Sequence, residues 1–259
     1  MERDVVFYRW REPSNILMMT DLANAFLGQT LFIIGGHPSI NDMPLGLLNQ
    51  PGILTMALNN ATYAFPKPTF WLTADKPNCY SGHSFHRADI IKFSRLDTSL
   101  EHPNGSAREL RTFPNLYFYE VAPDRYTPSN FFTEGVPLVW WKSVFPIALQ
   151  LAWRLGFRQI YLVGCAFWST KDSHYAWASQ LTNAQRAYSQ VTYNEDVERL
   201  ATLTPFFGAA GLEVVSCTEN SRANAMLRYE PLGEAVRKTL LKIPDPTPLG
   251  LLRHSSTNA

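Results

Sequence analysis

Short, wholly apolar runs alternate along this chain with longer stretches whose apolar residues recur every three or four positions. TLFIIGG, residues 30–36, predicts a buried strand leaving through a small turn. LGLLNQ, residues 45–50, predicts a short helix ended by Pro51 and Gly52. GILTMALNN and TFWLTAD predict a second and a third strand, stopping at Asn59-Asn60 and at Asp75. ADIIKFS and NLYFYEV predict two more. From 138 to 155 the spacing is that of a core helix, with Gly156 placed to cap it. RQIYLVGCAF is the clearest strand, and the polar loop WSTKDSHYAW follows it. VTYNEDVERLATLTPFFGAAG then sets Val197, Leu200, Leu203 or Thr204, and Phe207 on one helical face, and LEVVSC predicts the last strand.

Strand–helix–strand alternation with short connections predicts an α/β fold, a Rossmann-like open, mostly parallel sheet with helices on both faces. The pattern divides the chain into an N-terminal extension over 1–29, a Rossmann-like domain over 30–230, and a C-terminal helix with a loose tail over 231–259. Within the domain, the polar stretch 77–111 is a candidate lid or acceptor-binding insert.

Composition narrows the picture. At 46% hydrophobic and 17% charged the 259 residues are sufficient for a sizeable core. A net charge of +1 supplies no general attraction for nucleic acid, which leaves that partner open but not favoured. Cys79, Cys165 and Cys217 are too scattered for a disulfide framework or a structural zinc site, pointing to a reducing compartment. The first dozen residues mix acids and bases and carry no apolar signal segment. The longest apolar run, PLVWWKSVFPIALQLAWRLGF, is interrupted by Lys142, Pro146, Gln150 and Arg154, as suits a buried helix rather than a membrane span. The expectation is a cytoplasmic protein, compatible with a homo-oligomer.

Ligands of such sheets bind outside the carboxyl ends of the strands. Gly35, Gly36 and His37, then Asn59 and Asn60, Asp75, and Gly164 all stand at such ends. Two glycines let backbone N–H groups approach a phosphate, or simply make a tight turn. Ser39 offers a hydroxyl to that phosphate or a cap to the segment after Pro38. The asparagines suit a base or ribose, or a left-handed turn. Asp75 suits a sugar hydroxyl, a metal or a cap. His174 and Tyr175 follow the clearest strand, where an imidazole can take a proton and a phenol can donate to a phosphate; the alternative is a solvated loop. His83 and His86 lack a third metal ligand and rank below a plain surface loop. Cys165 reads as a packed thiol, with a nucleophile paired to His174 as the alternative.

Several segments in order resemble a family: FIIGGHPSIND, TMALNNATYAF, WWKSVFPIALQLAWRLGFRQIYLVGCAFW, SHYAW and VVSCTENSRANA. Together, over roughly residues 30–224, they are similar to the superfamily joining bacterial single-domain sialyltransferases to 6-hydroxymethylpterin diphosphokinase-like proteins, phage-encoded members included. That resemblance implies a Rossmann-like fold holding a nucleotide-activated donor. It places Gly35, Gly36 and Ser39 at the donor phosphate, Asn59 or Asn60 at the nucleotide, and Ser143, heading the long helix, toward the donor. Tyr175 matches a tyrosine that stabilises the leaving phosphate, and His174 matches the base. The chain departs from the pattern at Gly36 and His37, at Ala166 where the family has Asp, at Trp168, and at Trp140, where an Arg is expected and Lys142 stands close by.

The leading expectation is therefore a glycosyltransferase moving a sugar from a nucleotide sugar to a hydroxyl acceptor: a glycan, a small molecule or a hydroxylated nucleic-acid base. No cofactor is expected for it. The departures argue against sialic acid as the sugar. The first alternative is a Mg²⁺-dependent diphosphokinase acting on a pterin-like alcohol, with Asp42 and Asp75 as its carboxylates. The second is a non-catalytic binding or structural module that exposes the tryptophans of LVWW and AFW.

Overall fold

The structure, a computed structural model, describes residues 7–11, 16–19, 22–75, 82–97, 113–123, 127–133, 137–169, 175–177 and 181–242. Its strands are β1 (Phe7–Arg11), β2 (Ile16–Met19), β3 (Thr30–Ile34), β4 (Leu54–Leu58), β5 (Phe70–Leu72), β6 (Ile91–Arg95), β7 (Leu116–Tyr119), β8 (Val121–Pro123), β9 (Leu138–Trp140), β10 (Gln159–Val163) and β11 (Glu213–Ser216). The α-helices are α1 (Gly82–His86), α2 (Val144–Arg154), α3 (Asn183–Phe207) and α4 (Leu232–Leu240).

Nine strands form one sheet in the order β11-β10-β3-β4-β5-β6-β7-β1-β2. The run from β11 to β7 is parallel, whereas β1 and β2 add an antiparallel ribbon at the far edge. The strand order turns back on itself around β3, which has β4 on one side and β10 on the other. That is the crevice position of an open α/β sheet. The expected fold class is thus the observed one.

Strand periodicity divides the core. Leu31 and Ile33 of β3 join one apolar cluster with Ile147, Ala148 and Leu151 of α2 and Leu200, Leu203 and Phe207 of α3. Phe32 and Ile34 point the other way, into a cluster with Ile40, Leu48 and, from α4, Leu232, Ala235 and Val236. A one-residue slip of β3 would exchange these two sets, so burial on both faces fixes the register.

The predicted helix over 138–155 is corrected at its start. Residues 138–140 are strand β9, paired parallel with β8, and the helix begins only at Val144. Lys142 breaks the two elements apart, with φ of 60°. Ser143 then caps α2 by accepting from the Phe145 N–H at 3.2 Å. At the other end Gly156 has φ of 101°, and a Cβ there would sit 2.7 Å from Leu27 N. Glycine is required at that cap by both its conformation and its packing. The predicted helix over 191–211 begins earlier, at Asn183, with a Thr182–Gln185 capping box.

Residues 82–97 of the polar stretch supply α1 and β6 to the sheet, while 77–81 and 98–111 lie outside the described residues, as does the tail from 243. Among the described residues no helix is long and apolar enough to cross a membrane.

Candidate functional site

A cavity of ≈ 730 Å³ opens at the carboxyl ends of β3, β4, β5 and β10. Gly35, Gly36, His37, Asn59, Asn60, Asp75, Lys142, Ser143, Gly164 and Tyr175 all line it. That volume suits a ligand of nucleotide-sugar size, within the ~300–1,000 Å³ usual for small-molecule sites. Two proposed residues stand apart. Ser39 is not among the lining residues; its hydroxyl pairs with His37 Nδ1 at 2.9 Å. His174 lies outside the described residues.

The turn after β3 is corrected in detail. A Cβ on Gly35 would come within 2.6 Å of Gly164 O and 2.8 Å of Cys165 Sγ. A Cβ on Gly36 would meet the Trp177 ring at 2.5 Å. The space where each side chain would stand is therefore taken by the end of β10 and by an indole, so packing alone already requires glycine at both positions. Their amides are likewise partly spent: Gly35 N–H donates to Val163 O and His37 N–H to Gly164 O. Of the three, only the Gly36 N–H makes no hydrogen bond among the described residues. The chain after Pro38 is a single 3-10 turn, Pro38–Asp42, so it presents no α-helix N-terminus to an anion.

Residues 175–177 are strapped across this turn. Ala176 donates to Gly36 O at 2.9 Å, and Asn41 Nδ2 donates to Ala176 O at 3.0 Å. Tyr175 and Trp177 stack in parallel with centroids 4.8 Å apart, and Tyr63 leans on the same indole at 5.8 Å. Burial pushes the Tyr175 phenol up, a hydrogen bond with Ser189 opposing it. Tyr193, on α3, is raised by burial first and then by Tyr175, Cys165 and Asp196 around it. Both phenols are protonated at neutral pH and carry an O–H able to donate. The Cys165 thiol is pushed up to about 12 by burial, which removes it as a nucleophile and supports the packed-thiol reading.

The opposite wall is α3, whose Gln185, Tyr188, Ser189, Thr192, Tyr193 and Asp196 form a stripe at helical spacing along the cavity. Sequence reasoning missed this wall. The available signal was Asp196 itself, which begins the buried stripe completed by Leu200, Leu203 and Phe207. An acid on an otherwise apolar helical face is the informative exception. Asp196 is 3% exposed, accepts from Ser143 Oγ at 2.7 Å and meets Arg199 Nη1 at 3.4 Å. Burial lifts its carboxyl to about 7, against the opposing pull of Ser143 and Arg199. The Ser143 hydroxyl proton is thus directed at Asp196, which corrects the expectation that this side chain is free to face a donor.

Strain gathers at the site. Asn59, Lys142 and Phe167 line the cavity and have φ of 48°, 60° and 60°. Asn59 tolerates that conformation readily, so its turn role and its place in the wall coexist. For Lys and Phe it is costly and is held by surrounding structure. Lys142 is the one Lys or Arg among the described residues lining the cavity. Asp42 is not a lining residue, and among the described residues no group of three or more His, Cys, Asp and Glu side chains comes together. His86 packs its ring edge against Phe113. The tryptophans of LVWW and AFW are not an exposed surface: Trp140 and Trp168 are partly buried cavity wall, and Trp141 packs on the core.

No family model and no curated protein matches the chain. Among solved structures it is similar to the sialyltransferase CstII from Campylobacter jejuni in complex with CMP-3FNeuAc, at 15% identity over 78% of this chain and 86% of that one, with a TM-score of 0.46. The sialyltransferase solved with a trisaccharide acceptor and CMP gives the same values, and monomeric CstII is 14% identical over 83% of this chain and all of that one, with a TM-score of 0.44. Likeness of this degree carries no argument about substrates or residues.

Proposed function

We propose that the cavity binds a nucleotide-activated donor and transfers its activated group, a sugar, to an acceptor hydroxyl. The observation that carries the reading is the convergence of one cation, Lys142, with two phenols, Tyr175 and Tyr193, in one cavity at the strand ends. As the bond between the sugar and the phosphate breaks, negative charge develops on the leaving phosphate. A cation and preorganised neutral donors stabilise that charge more than they stabilise the ground state. The Gly36 N–H, without an acceptor among the described residues, is a further donor at this end. Asn59 and Asn60 offer amides to the nucleotide, and Asp75, exposed at the wall, offers an acceptor to a sugar hydroxyl. His174, directly before Tyr175, remains the proposed base for the acceptor hydroxyl.

The cavity's carboxylates favour sugar transfer over the diphosphokinase alternative. Diphosphate transfer from ATP requires Mg²⁺ held by free acidic ligands near the phosphates. Of the two carboxylates expected for that reaction, Asp75 lines the cavity and Asp42 does not; the cavity's other acid, Asp196, is committed to Ser143 and Arg199, which leaves one exposed carboxylate at the cavity among the described residues.

The test is thermal-shift binding with a panel of nucleotides and nucleotide sugars, each with Mg²⁺ and with EDTA. Stabilisation by one nucleotide sugar and its nucleotide irrespective of metal is expected and identifies the donor. Stabilisation by ATP only with Mg²⁺ would replace this reading by diphosphate transfer. Silence across the panel would replace it by a binding module.

A further inference from the structure

Lys142 occupies an unfavourable backbone conformation, and the residues on either side of it are tied to the same helix. Before it, the Trp141 carbonyl accepts from Arg199 Nη1. After it, the Ser143 hydroxyl donates to Asp196 Oδ2 at 2.7 Å while also capping α2. Asp196 and Arg199 lie at i and i+3 on α3 and touch each other at 3.4 Å. Arg199 is further steadied by Glu195 at 2.7 Å, and its guanidinium lies over the Trp141 ring at 5.7 Å from the centroid. These are buried or half-buried contacts, so they resist solvent competition better than a surface pair would.

Resting on the proposed function, we infer that Asp196 and Arg199 are positioning residues: they clamp residues 141–143 so that Lys142 is held in its left-handed conformation with its side chain at the cavity. Neither residue needs to touch the ligand. The clamp explains why a lysine, rather than a glycine or asparagine, is tolerated at φ of 60°. It also joins α3, whose stripe forms one wall, to the start of α2 on the other. A change in α3 is thereby transmitted to the cation that faces the phosphate.

The experiment uses the full chain, isotope-labelled, with Asp196→Ala, Arg199→Gln, Lys142→Ala and the Lys142→Ala/Asp196→Ala double variant. The first readout needs no ligand: the Cα and Cβ chemical shifts and the φ-dependent coupling of Lys142. The wild type is expected to show the left-handed signature, and Asp196→Ala and Arg199→Gln to lose it. Arg199→Gln is read in parallel so that poor folding of Asp196→Ala leaves the question decided. Unchanged Lys142 signals in a folded Arg199→Gln or Asp196→Ala protein would overturn the clamp. The second readout is affinity for CMP, UMP, GMP and AMP as probes. Whichever binds the wild type is expected to weaken about tenfold in Asp196→Ala and in Lys142→Ala alike, with no further loss in the double variant. Additive losses would overturn the inference, because a purely structural Asp196 would weaken binding independently of Lys142. If neither these four nor any member of the thermal-shift panel binds the wild type, the proposed function falls while the Lys142 signals still decide the clamp.

Discussion

The two walls of the cavity are built on opposite principles. One is the row of strand ends at Gly35–Gly36, Asn59–Asn60, Asp75 and Gly164, whose positions follow from strands buried on both faces. The other is a single face of α3, where hydrogen-bonding and aromatic side chains at Gln185, Tyr188, Thr192 and Tyr193 occupy the helix ahead of its apolar half. The first wall offers backbone geometry and little charge; the second offers titratable side chains. Position comes from the sheet, and α3 adds Tyr193 and Asp196 to the Lys142 and Tyr175 that the connecting segments bring.

Changes on the sheet side should strike stability hardest. Gly35→Ala drives a Cβ into the Gly164 carbonyl oxygen, a backbone atom that cannot swing aside. A loss of about 3 kcal/mol in folding free energy is expected, read from urea unfolding at constant m-value. Gly36→Ala meets side-chain ring atoms, the far end of Trp177 and the edge of Tyr175, so it should cost less stability while displacing that stacked pair. A Gly35→Ala protein as stable as the wild type would dissolve the contrast between the walls.

Loss of a phenol from either side should strike function first: Tyr193 stands on α3, and Tyr175 in the strap across the turn after β3. Tyr193→Phe and Tyr175→Phe each remove one donor while keeping the ring. About a tenfold loss in kcat, with KM little changed, is expected in a turnover assay with the donor that the panel identifies, as fits an interaction made in the transition state. Equal rates in both variants would remove the phenols from the mechanism.

A smaller effect follows from Asp196. Its folded-state value of about 7 lies above the ordinary carboxylate range, chiefly through burial. Stability conferred through this group is full below about pH 4, where the carboxyl is protonated in both states, and is lost as pH rises toward about 7. The charged and titratable groups around it are Arg199, Glu195, Tyr193 and Cys165, with Ser143 as its hydrogen-bond donor. Asp196→Asn keeps the side chain neutral throughout. The Tm of that variant relative to wild type should therefore rise between about pH 4 and 7 and level off above. A difference that is flat across this range would mean that the carboxylate is ionised in the folded protein at low pH.

The contrast between the walls also explains what the sequence disclosed. The strands of the parallel sheet announce themselves as short apolar runs closed by Gly, Asn or Asp, and Gly35, Gly36, His37, Asn59, Asn60, Asp75 and Gly164 line the cavity because strand ends converge in such a sheet; Lys142, Ser143 and Tyr175 reach it from connecting segments. The 138–155 segment misled because Leu138, Val139 and Trp140 are apolar and contiguous with α2; only the left-handed Lys142, invisible in a pattern of apolar and polar letters, separates them. Gly35 and Gly36 stand at the cavity, but the sequence does not disclose that packing against Gly164, Cys165 and the Trp177 ring also requires them. The stripe on α3 was missed because its residues are neither uniformly apolar nor charged, so they produce no amphipathic signal.

The most direct test of the account is amide mapping of the labelled protein by NMR during titration with the nucleotide that stabilises it. The predicted result is that shifts concentrate at Gly36, Asn59, Asn60, Lys142 and Tyr193, on both walls at once. Shifts confined to one wall, or gathered away from the strand ends, would contradict the claim that this cavity is where a nucleotide-activated donor binds.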